Sequence, residues 1–239
     1  MDYEEFSKAI SRDRELEMSA AFPVLMRKVY VWMTLALLIT GITAYYVAHN
    51  ETLLTAIVTN QILFWGLVIA ELGLVIGLSA AISKLSLTVA TLMFVVYSVI
   101  NGATMSFIFL VYTYSSITNV FLITAGTFAA MALFGYFTKA DLSSLGKILM
   151  MALVGIIIAT IVNIFTKSTG LAMILNYLGV LVFVGLTAYD SQKIKMMLIQ
   201  ASDAGEAAQK VALLGAMSLY LDFINLFLYL LRIFGGKRD

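Results

Sequence analysis

Three carboxylic acids interrupt long runs of apolar residues: Glu71, Asp190 and Asp222. A charged side chain at mid-membrane costs about 2.5–3.5 kcal/mol on insertion scales, so a carboxyl group there is either protonated or faces a partner or water. Acids in such positions serve in proton relays and ion pathways, which makes these three the first functional candidates. The structural alternative is a hydrogen bond that fixes two neighbouring helices in register.

Asp222 belongs to a polar stripe on the last apolar segment. Ser218, Asp222, Asn225 and Tyr229 follow a four-three-four spacing, which places them on one face of a helix. The remaining faces are apolar, so this helix is predicted to be buried on most sides, with its stripe turned toward an interior site. Ser218, Asn225 and Tyr229, together with Glu71 of the second segment, are predicted to support the aspartates as polar neighbours. A stripe of purely structural hydrogen bonds is the alternative.

Asp190 lies where the sixth apolar segment meets a basic end that carries Lys193 and Lys195. If the sixth and seventh segments pack as a hairpin, Asp190 and Asp222 come together. Two carboxylates within a few ångströms repel each other, so the pair is expected to share one proton near neutral pH and to act as a proton-sensitive switch. The alternative for Asp190 is a residue at the end of a helix that pairs with one of the two lysines.

The same pair of acids would also attract a divalent cation. Ca²⁺ takes six to eight oxygen ligands, and ionised Asp190 and Asp222 offer hard carboxylate oxygens of that kind. Asn225, backbone carbonyls and water would complete the shell. Calcium is therefore the metal that these residues predict, with the two aspartates as its ligands.

The composition indicates a membrane protein, because 62% of the residues are hydrophobic and only 12% are charged, against roughly 25% charged in soluble domains. Seven apolar segments approach the length of about 20 residues that crosses a hydrocarbon layer. Short polar connections predict antiparallel neighbours in one all-α bundle within the lipid bilayer. Gly73 and Gly77 form a GxxxG step, which predicts close helix approach. The seven segments are Arg27–Ala48, Gln61–Ile82, Ser86–Val111, Thr118–Phe137, Leu145–Phe165, Leu171–Tyr189 and Val211–Ile233.

The distribution of lysine and arginine predicts a cytoplasmic N-terminus, because cytoplasmic loops carry an excess of these residues. Residues 1–24 are then a polar cytoplasmic tail, and residues 25–236 form a single transmembrane domain. The tail lacks the pattern of a cleavable signal, so the first span is predicted to direct insertion. Seven full spans would export the basic C-terminal tail, and a re-entrant segment stays open as the alternative.

Several classes of site lack their residues. The chain has no cysteine, which excludes disulfides and thiol chemistry, and its single histidine, His49, falls in a turn without companions. Neither a zinc-protease HExxH motif nor a phosphate-binding Walker sequence occurs. The net charge of +1 without a basic patch argues against nucleic acid as a partner. We therefore expect neither an enzyme nor a resident cofactor.

Two aspartate motifs in the last two segments are specific enough to indicate a family. They read Gly185-Leu-Thr-Ala-Tyr-Asp190-Ser-Gln-Lys-Ile-Lys195 and Ala216-Met-Ser-Leu-Tyr-Leu-Asp222-Phe-Ile-Asn-Leu-Phe227, followed by Leu231-Arg-Ile-Phe-Gly235. These motifs resemble the Bax inhibitor-1 (transmembrane Bax-inhibitor-motif) family in its bacterial branch, and the likeness covers about residues 26–236. The resemblance implies an integral protein of the bacterial inner membrane.

The resemblance further implies a seven-helix bundle with a central last helix and a pH-dependent Ca²⁺ leak, with Asp190 and Asp222 as proton sensor and gate. Glu71 matches the acidic position of the family's second helix. One departure concerns an arginine that some bacterial members use to latch onto the aspartate pair, since the matching position here is Ile82. Lys84 is the nearest candidate latch cation, although it lacks the guanidinium fork. Without it, closure would depend on the shared proton alone.

Two other functions compete with an ion leak. One is an interaction protein that modulates a membrane protease or quality-control complex through the acidic N-terminal tail, a role that the resemblance also permits. The other is an intramembrane aspartyl protease with Asp190 and Asp222 as its dyad. Those enzymes resemble each other in a Gly-x-Gly-Asp sequence at the second aspartate and in a later Pro-Ala-Leu stretch. Here Asp222 lacks the first motif, and the second cannot occur because Pro23 is the only proline, so the protease is disfavoured.

Overall fold

A computed structural model describes residues 3–200 and 205–238 of the chain, with side chains from residue 20 onward. Over these ranges the chain is almost entirely helical. Polar residues in the connections cap several helices, as Ser86 does when its Oγ accepts from the Val89 N–H. The nine helical segments of the described residues are α1 (Tyr3–Ala48), α2 (Glu51–Thr59), α3 (Gln61–Ala81), α4 (Leu87–Met105), α5 (Ile108–Val111), α6 (Tyr114–Phe137), α7 (Ser143–Thr166), α8 (Thr169–Ile199) and α9 (Glu206–Phe234).

Seven stretches of this described chain are long and apolar enough to cross a membrane, at 21 to 31 residues each. The first lies within α1 and begins at Ala20, and the third combines α4 with the short α5. The prediction of an all-α, seven-span membrane bundle is therefore confirmed. Helix α1 begins at Tyr3 and continues into its span, so its backbone has no break at the predicted tail boundary of residue 24.

The last helix, α9, lies at the centre of the bundle. In its most apolar stretch 67% of the residues are buried, against 6% in α3 and in α7. It packs most extensively against α8 and also contacts α1, α6 and α4. The prediction of a central last helix is confirmed, and the side chains of α9 consequently meet protein on nearly every face.

At each end of the bundle, a different set of hydrogen bonds connects neighbouring segments. At one end, Lys28 Nζ donates to Gln209 Oε1 (3.0 Å), and Glu206 Oε1 accepts from the Leu87 N–H (3.0 Å). We call this the basic end, and it holds the connections α3–α4, α6–α7 and α8–α9. At the opposite end the C-terminal tail is fixed by the Arg238 N–H, which donates to the Val111 carbonyl (2.9 Å). Each of the seven described spans runs from one end to the other, the third through α4 and the short α5, and none turns back.

Helices α6 and α8 approach each other closely at Gly135. A Cβ placed on Gly135 would collide with the backbone carbonyl of Ala188, so the two backbones are nearly in contact. One turn away, Ser191 Oγ donates to the Ala132 carbonyl (2.8 Å). Together these contacts fix the helix that carries Asp190 against its neighbour.

The predicted close approach at Gly73 and Gly77 is not found within the described chain. A Cβ placed on Gly73 would meet no atom within 4 Å, and one placed on Gly77 would meet only Met93 Cε at an ordinary 3.6 Å. The reason is that α3 lies at the periphery, where it packs on α4 and α2 and exposes most of its surface.

We expect Gly135→Ala to destabilise the bundle, because the added methyl group must push α6 away from α8. Overpacking of this kind costs about 1–3 kcal/mol, which corresponds to a fall of roughly 3–10 °C in apparent Tm. The matched control is Gly126→Ala on the same helix, where a Cβ meets nothing within 4 Å. Thermal unfolding of both variants in detergent micelles measures the difference, and equal Tm values would contradict the close approach.

Candidate functional site

Asp222 is a buried acid near the middle of α9. Its side chain is only 4% exposed, and its Oδ2 atom has no hydrogen-bond partner among the described residues. A buried polar atom without a partner loses the free energy of its hydration, and an unpaired carboxylate loses far more. An ionisable residue inside a membrane span is a functional candidate by default, and its burial makes Asp222 the strongest one among the described residues.

Asp190 faces Asp222 from the neighbouring helix α8. It is half-buried, and its carboxylate interacts electrostatically with that of Asp222. The structure thus brings together the two acids that the sequence pairs, although 31 residues separate them along the chain. Because like charges at short range in an apolar setting disfavour double ionisation, this arrangement is suited to holding a proton between two helices.

The cation that acts on both acids is Lys193. It lies one turn after Asp190 on α8 and attracts the carboxylates of Asp190 and of Asp222. Lys84, the candidate latch, is exposed in the turn between α3 and α4. The latch role of Lys84 stays a prediction, whereas in this conformation the electrostatic partner of the pair is Lys193.

Two residues next to Asp190 hold its helix in place. Ser191 is fully buried and, besides its bond to the Ala132 carbonyl, lies 3.4 Å from the hydroxyl of Tyr30 on α1. Gln192 accepts from the Leu142 N–H (2.9 Å) and donates to the Ala140 carbonyl (2.8 Å) in the α6–α7 connection. The position of Asp190 is therefore set by contacts with α1, α6 and the loop that follows α6.

Glu71 belongs to a second polar cluster, which contains Thr40, Glu71, Asn101, Thr104 and Tyr220 and which we call the tyrosine network. Glu71 Oε1 accepts from Thr104 Oγ1 (2.6 Å), and Glu71 Oε2 accepts from Asn101 Nδ2 (3.4 Å). Tyr220 donates its hydroxyl to Asn101 Oδ1 (2.9 Å) and lies 2.7 Å from Thr40 Oγ1. Four helices, α1, α3, α4 and α9, thus meet in one buried hydrogen-bonded chain.

The tyrosine network and the aspartate pair lie on different faces of α9. Tyr220 and Asp222 are two residues apart, which turns them about 200° from each other around the helix axis. Glu71 is therefore not in contact with the aspartates, and its predicted support of them has no hydrogen bond behind it. Sequence reasoning missed the rest of this network, although Asn101 inside an apolar span was a visible signal.

The other members of the predicted stripe share the face of Asp222 without a hydrogen bond to it. Ser218 is half-buried. Asn225 donates its Nδ2 to the Leu221 carbonyl of its own helix (2.8 Å). Tyr229 stacks on Phe183 with ring centroids 5.8 Å apart, at the close contact between α9 and α8. Their supporting role stays a prediction.

The aspartate pair is a sparse site for a metal ion. The described residues contain no cluster of three or more histidine, cysteine, aspartate or glutamate side chains. Fully ionised, Asp190 and Asp222 supply four carboxylate oxygens, fewer than the six to eight that Ca²⁺ takes. Water and backbone carbonyls would have to supply the remainder, which suits a cation in passage better than one held permanently.

Comparison with known proteins shows which family the chain matches. Residues 23–239 match the family described as "Inhibitor of apoptosis-promoting Bax1". The inner membrane protein YbhL of Escherichia coli K12 is 50% identical over 228 residues, which cover 95% of this chain and 97% of that protein. A Borreliella burgdorferi protein is 44% identical over 90% of this chain and 92% of its own length. A Rickettsia prowazekii protein is 41% identical over 90% of each. The seven spans and these relatives identify an integral inner membrane protein.

We expect Tyr220→Phe to destabilise the fold, because it leaves Asn101 Oδ1 without its donor in a buried site. The free energy of unfolding should fall by about 1–2 kcal/mol. The control is Tyr229→Phe, whose hydroxyl makes no hydrogen bond among the described residues, and which should change stability by less than about 0.5 kcal/mol. Denaturant titration in micelles compares the two variants, and an equal effect of both would remove the tyrosine network from the stability argument.

Proposed function

Because the chain belongs to the Bax inhibitor-1 family of membrane proteins, we propose that it is a pH-sensitive Ca²⁺ leak protein gated by Asp190 and Asp222. The observation that carries this proposal is the buried Asp222 carboxyl, whose Oδ2 lacks a hydrogen-bond partner among the described residues and which faces a second carboxylate across a helix interface. Burial deprives this carboxyl group of hydration, and a second acid lies beside it. Such a group is suited to change its protonation with pH.

The pair would change charge with pH through a limited set of groups. Asp190 and Lys193, both on α8, are the groups that interact electrostatically with Asp222 among the described residues. In acidic medium both acids are neutral, and the contact between α8 and α9 at this point is uncharged. As protons leave, negative charge develops that attracts either Lys193 or an entering cation. Ca²⁺ then competes with Lys193 for the same carboxylates.

The packing beyond Asp222 supports a closed conformation of such a leak. Phe223 contacts Phe121 and Phe128 of α6 edge to face, with ring centroids 5.4 and 5.5 Å apart. Aromatic rings offer no oxygen to replace the water ligands of a cation. Passage from the pair toward the opposite end would therefore require α6 and α9 to separate, and the charge state of the pair is the proposed control of that movement.

The predicted orientation places the aspartate pair toward the cytoplasm. Asp190 lies close to the basic end, which also carries Lys84, Lys139 and Lys210. Cytoplasmic ends of spans carry an excess of such residues, so we propose that protons and Lys193 reach the pair from the cytoplasmic side. The N-terminus would lie on that side as well.

We expect Asp190→Asn and Asp222→Asn to abolish the pH dependence of Ca²⁺ flux across roughly pH 5 to 8 in proteoliposomes. An asparagine side chain has the shape of a protonated carboxyl group and stays uncharged at every pH. Each variant should therefore hold, throughout the series, a flux within about twofold of the wild-type flux at the acidic end.

The control for this experiment is Glu51→Gln, which neutralises an exposed acid at the opposite end of the bundle. It should keep the wild-type pH profile. If both aspartate variants also keep that profile, the gating assignment is wrong. If the purified protein cleaves a membrane peptide in a manner that depends on Asp190 and Asp222, the competing protease function replaces the leak.

Deletion of residues 1–20 separates the leak from the competing role as a modulator of a membrane protease or quality-control complex. The leak should survive the deletion with its pH profile intact, because Asp190, Lys193 and Asp222 lie on α8 and α9. The α1 residue that contacts Ser191, Tyr30, lies outside the deleted stretch. Flux measured as before tests this expectation. If the deletion leaves flux unchanged but abolishes the inhibition of a membrane protease reconstituted with the protein, the modulator role gains the support.

A further inference from the structure

A cavity of about 640 Å³ opens at the basic end of the bundle, between the α6–α7 connection and the last turns of α8. Its polar lining includes Thr138, Lys139, Asp141, Gln192, Lys193 and Lys195. This volume lies within the range of about 300–1,000 Å³ that is typical of ligand sites. None of its lining residues belongs to the tyrosine network, so the cavity is a separate feature of the fold.

The charge of the cavity is positive. Three lysines line it against one aspartate, Asp141. Hydrogen bonds from the Ser143 side chain and backbone N–H hold the pKa of Asp141 below its usual range, so this acid carries its full negative charge. The lysines still outnumber it, and the cavity should attract an anion.

The three lysines differ in their freedom to bind a ligand. Lys195 is tied down, because its Nζ donates to the Tyr136 carbonyl (2.8 Å) and lies 5.1 Å from the centre of the Tyr136 ring. Lys139 and Lys193 are exposed. Lys193 lies 5.7 Å from the centre of the Tyr189 ring and is attracted by the aspartates. Its ammonium group nevertheless makes no hydrogen bond among the described residues, so a ligand can bind it together with Lys139.

The wall of the cavity is fixed before any ligand arrives. Gln192 is bonded through both ends of its amide to the α6–α7 connection, at Ala140 and Leu142. These two bonds hold the loop that carries Lys139 against the helix that carries Lys193. A site that is already shaped loses less entropy on binding than one that must form around its ligand.

The surroundings of the cavity favour a lipid over a free anion. Phe137, next to Thr138, is 70% exposed, and Met196 on the cavity wall is 47% exposed. Both lie at the end of membrane-spanning helices, where headgroups meet acyl chains. Basic pockets between helices at this depth bind anionic headgroups. We propose that the cavity binds the phosphate group of an anionic phospholipid, with Lys139 and Lys193 as its cationic contacts.

The lipid site shares Lys193 with the aspartate pair, but the proposal of a lipid rests on the cavity and not on any flux of Ca²⁺. Its ligand is recognised by lysines at the membrane surface, whereas the leak depends on acids in the interior of the bundle. Failure of one proposal therefore leaves the other standing, and the experiment below measures lipid binding without any flux.

The test uses the full-length protein, stripped of lipid in an uncharged detergent. Phosphatidylglycerol, phosphatidylcholine or inorganic phosphate is added, and bound lipid is counted by native mass spectrometry while thermal unfolding is followed. Of these three additives, we expect only phosphatidylglycerol to bind and to raise the Tm. The double variant Lys139→Gln/Lys193→Gln should weaken its binding roughly twenty-five-fold, the product of about fivefold for each lysine.

Two further variants serve as controls for this test. Lys84→Gln/Lys167→Gln removes the same charge outside the cavity and should bind phosphatidylglycerol as the wild type does. Asp141→Asn keeps the acceptor for the Ser143 N–H (2.8 Å) but removes the opposing charge, so binding should tighten severalfold. Unchanged affinity in the cavity variant, or equal stabilisation by phosphatidylcholine or inorganic phosphate, would overturn the lipid site.

Discussion

The burial of the Asp222 carboxyl in the most enclosed helix is the constraint on which the rest of the structure depends. A spanning helix that faced lipid could turn an acid toward water at its end, but α9 has protein on nearly every side. Its neighbours must therefore come close enough to exclude water while leaving room for a second acid. Small residues make this possible, as at Gly215, where a side chain larger than hydrogen would meet Ile194 of α8.

The central helix α9 carries two polar sites that have different roles. On one face Tyr220 completes a buried network in which most hydrogen-bonding groups have partners, an arrangement that stabilises and rigidifies a bundle. On another face Asp222 is left without a full set of partners. Both sites belong to one helix, and Tyr220 ties that helix to Thr40 of α1 and Asn101 of α4.

Much of the fold and part of the site could be predicted from the sequence, for physical reasons. Hydrophobic length alone marks the seven spans, and a short α8–α9 connection brings Asp190 to Asp222. The tyrosine network was not predictable, because it depends on the register between α1, α3, α4 and α9, which are not sequence neighbours. Nor does spacing reveal that Gly73 lies at the periphery. Helix geometry offered both Lys193 and Lys195 as partners of Asp190, and only the structure shows that Lys193 is the lysine that acts on the pair.

Lys193 connects the interior of the bundle to its surface. Its ammonium group attracts both aspartates and also lines the basic cavity, yet one flexible side chain cannot serve two anions fully at once. A phosphate that holds Lys193 in the cavity weakens the attraction between this lysine and the aspartates. By linkage, negative charge on the aspartates weakens the hold of the cavity on its phosphate to the same degree. Binding of the proposed phospholipid would thereby be coupled to the proton balance of the buried pair through a single side chain.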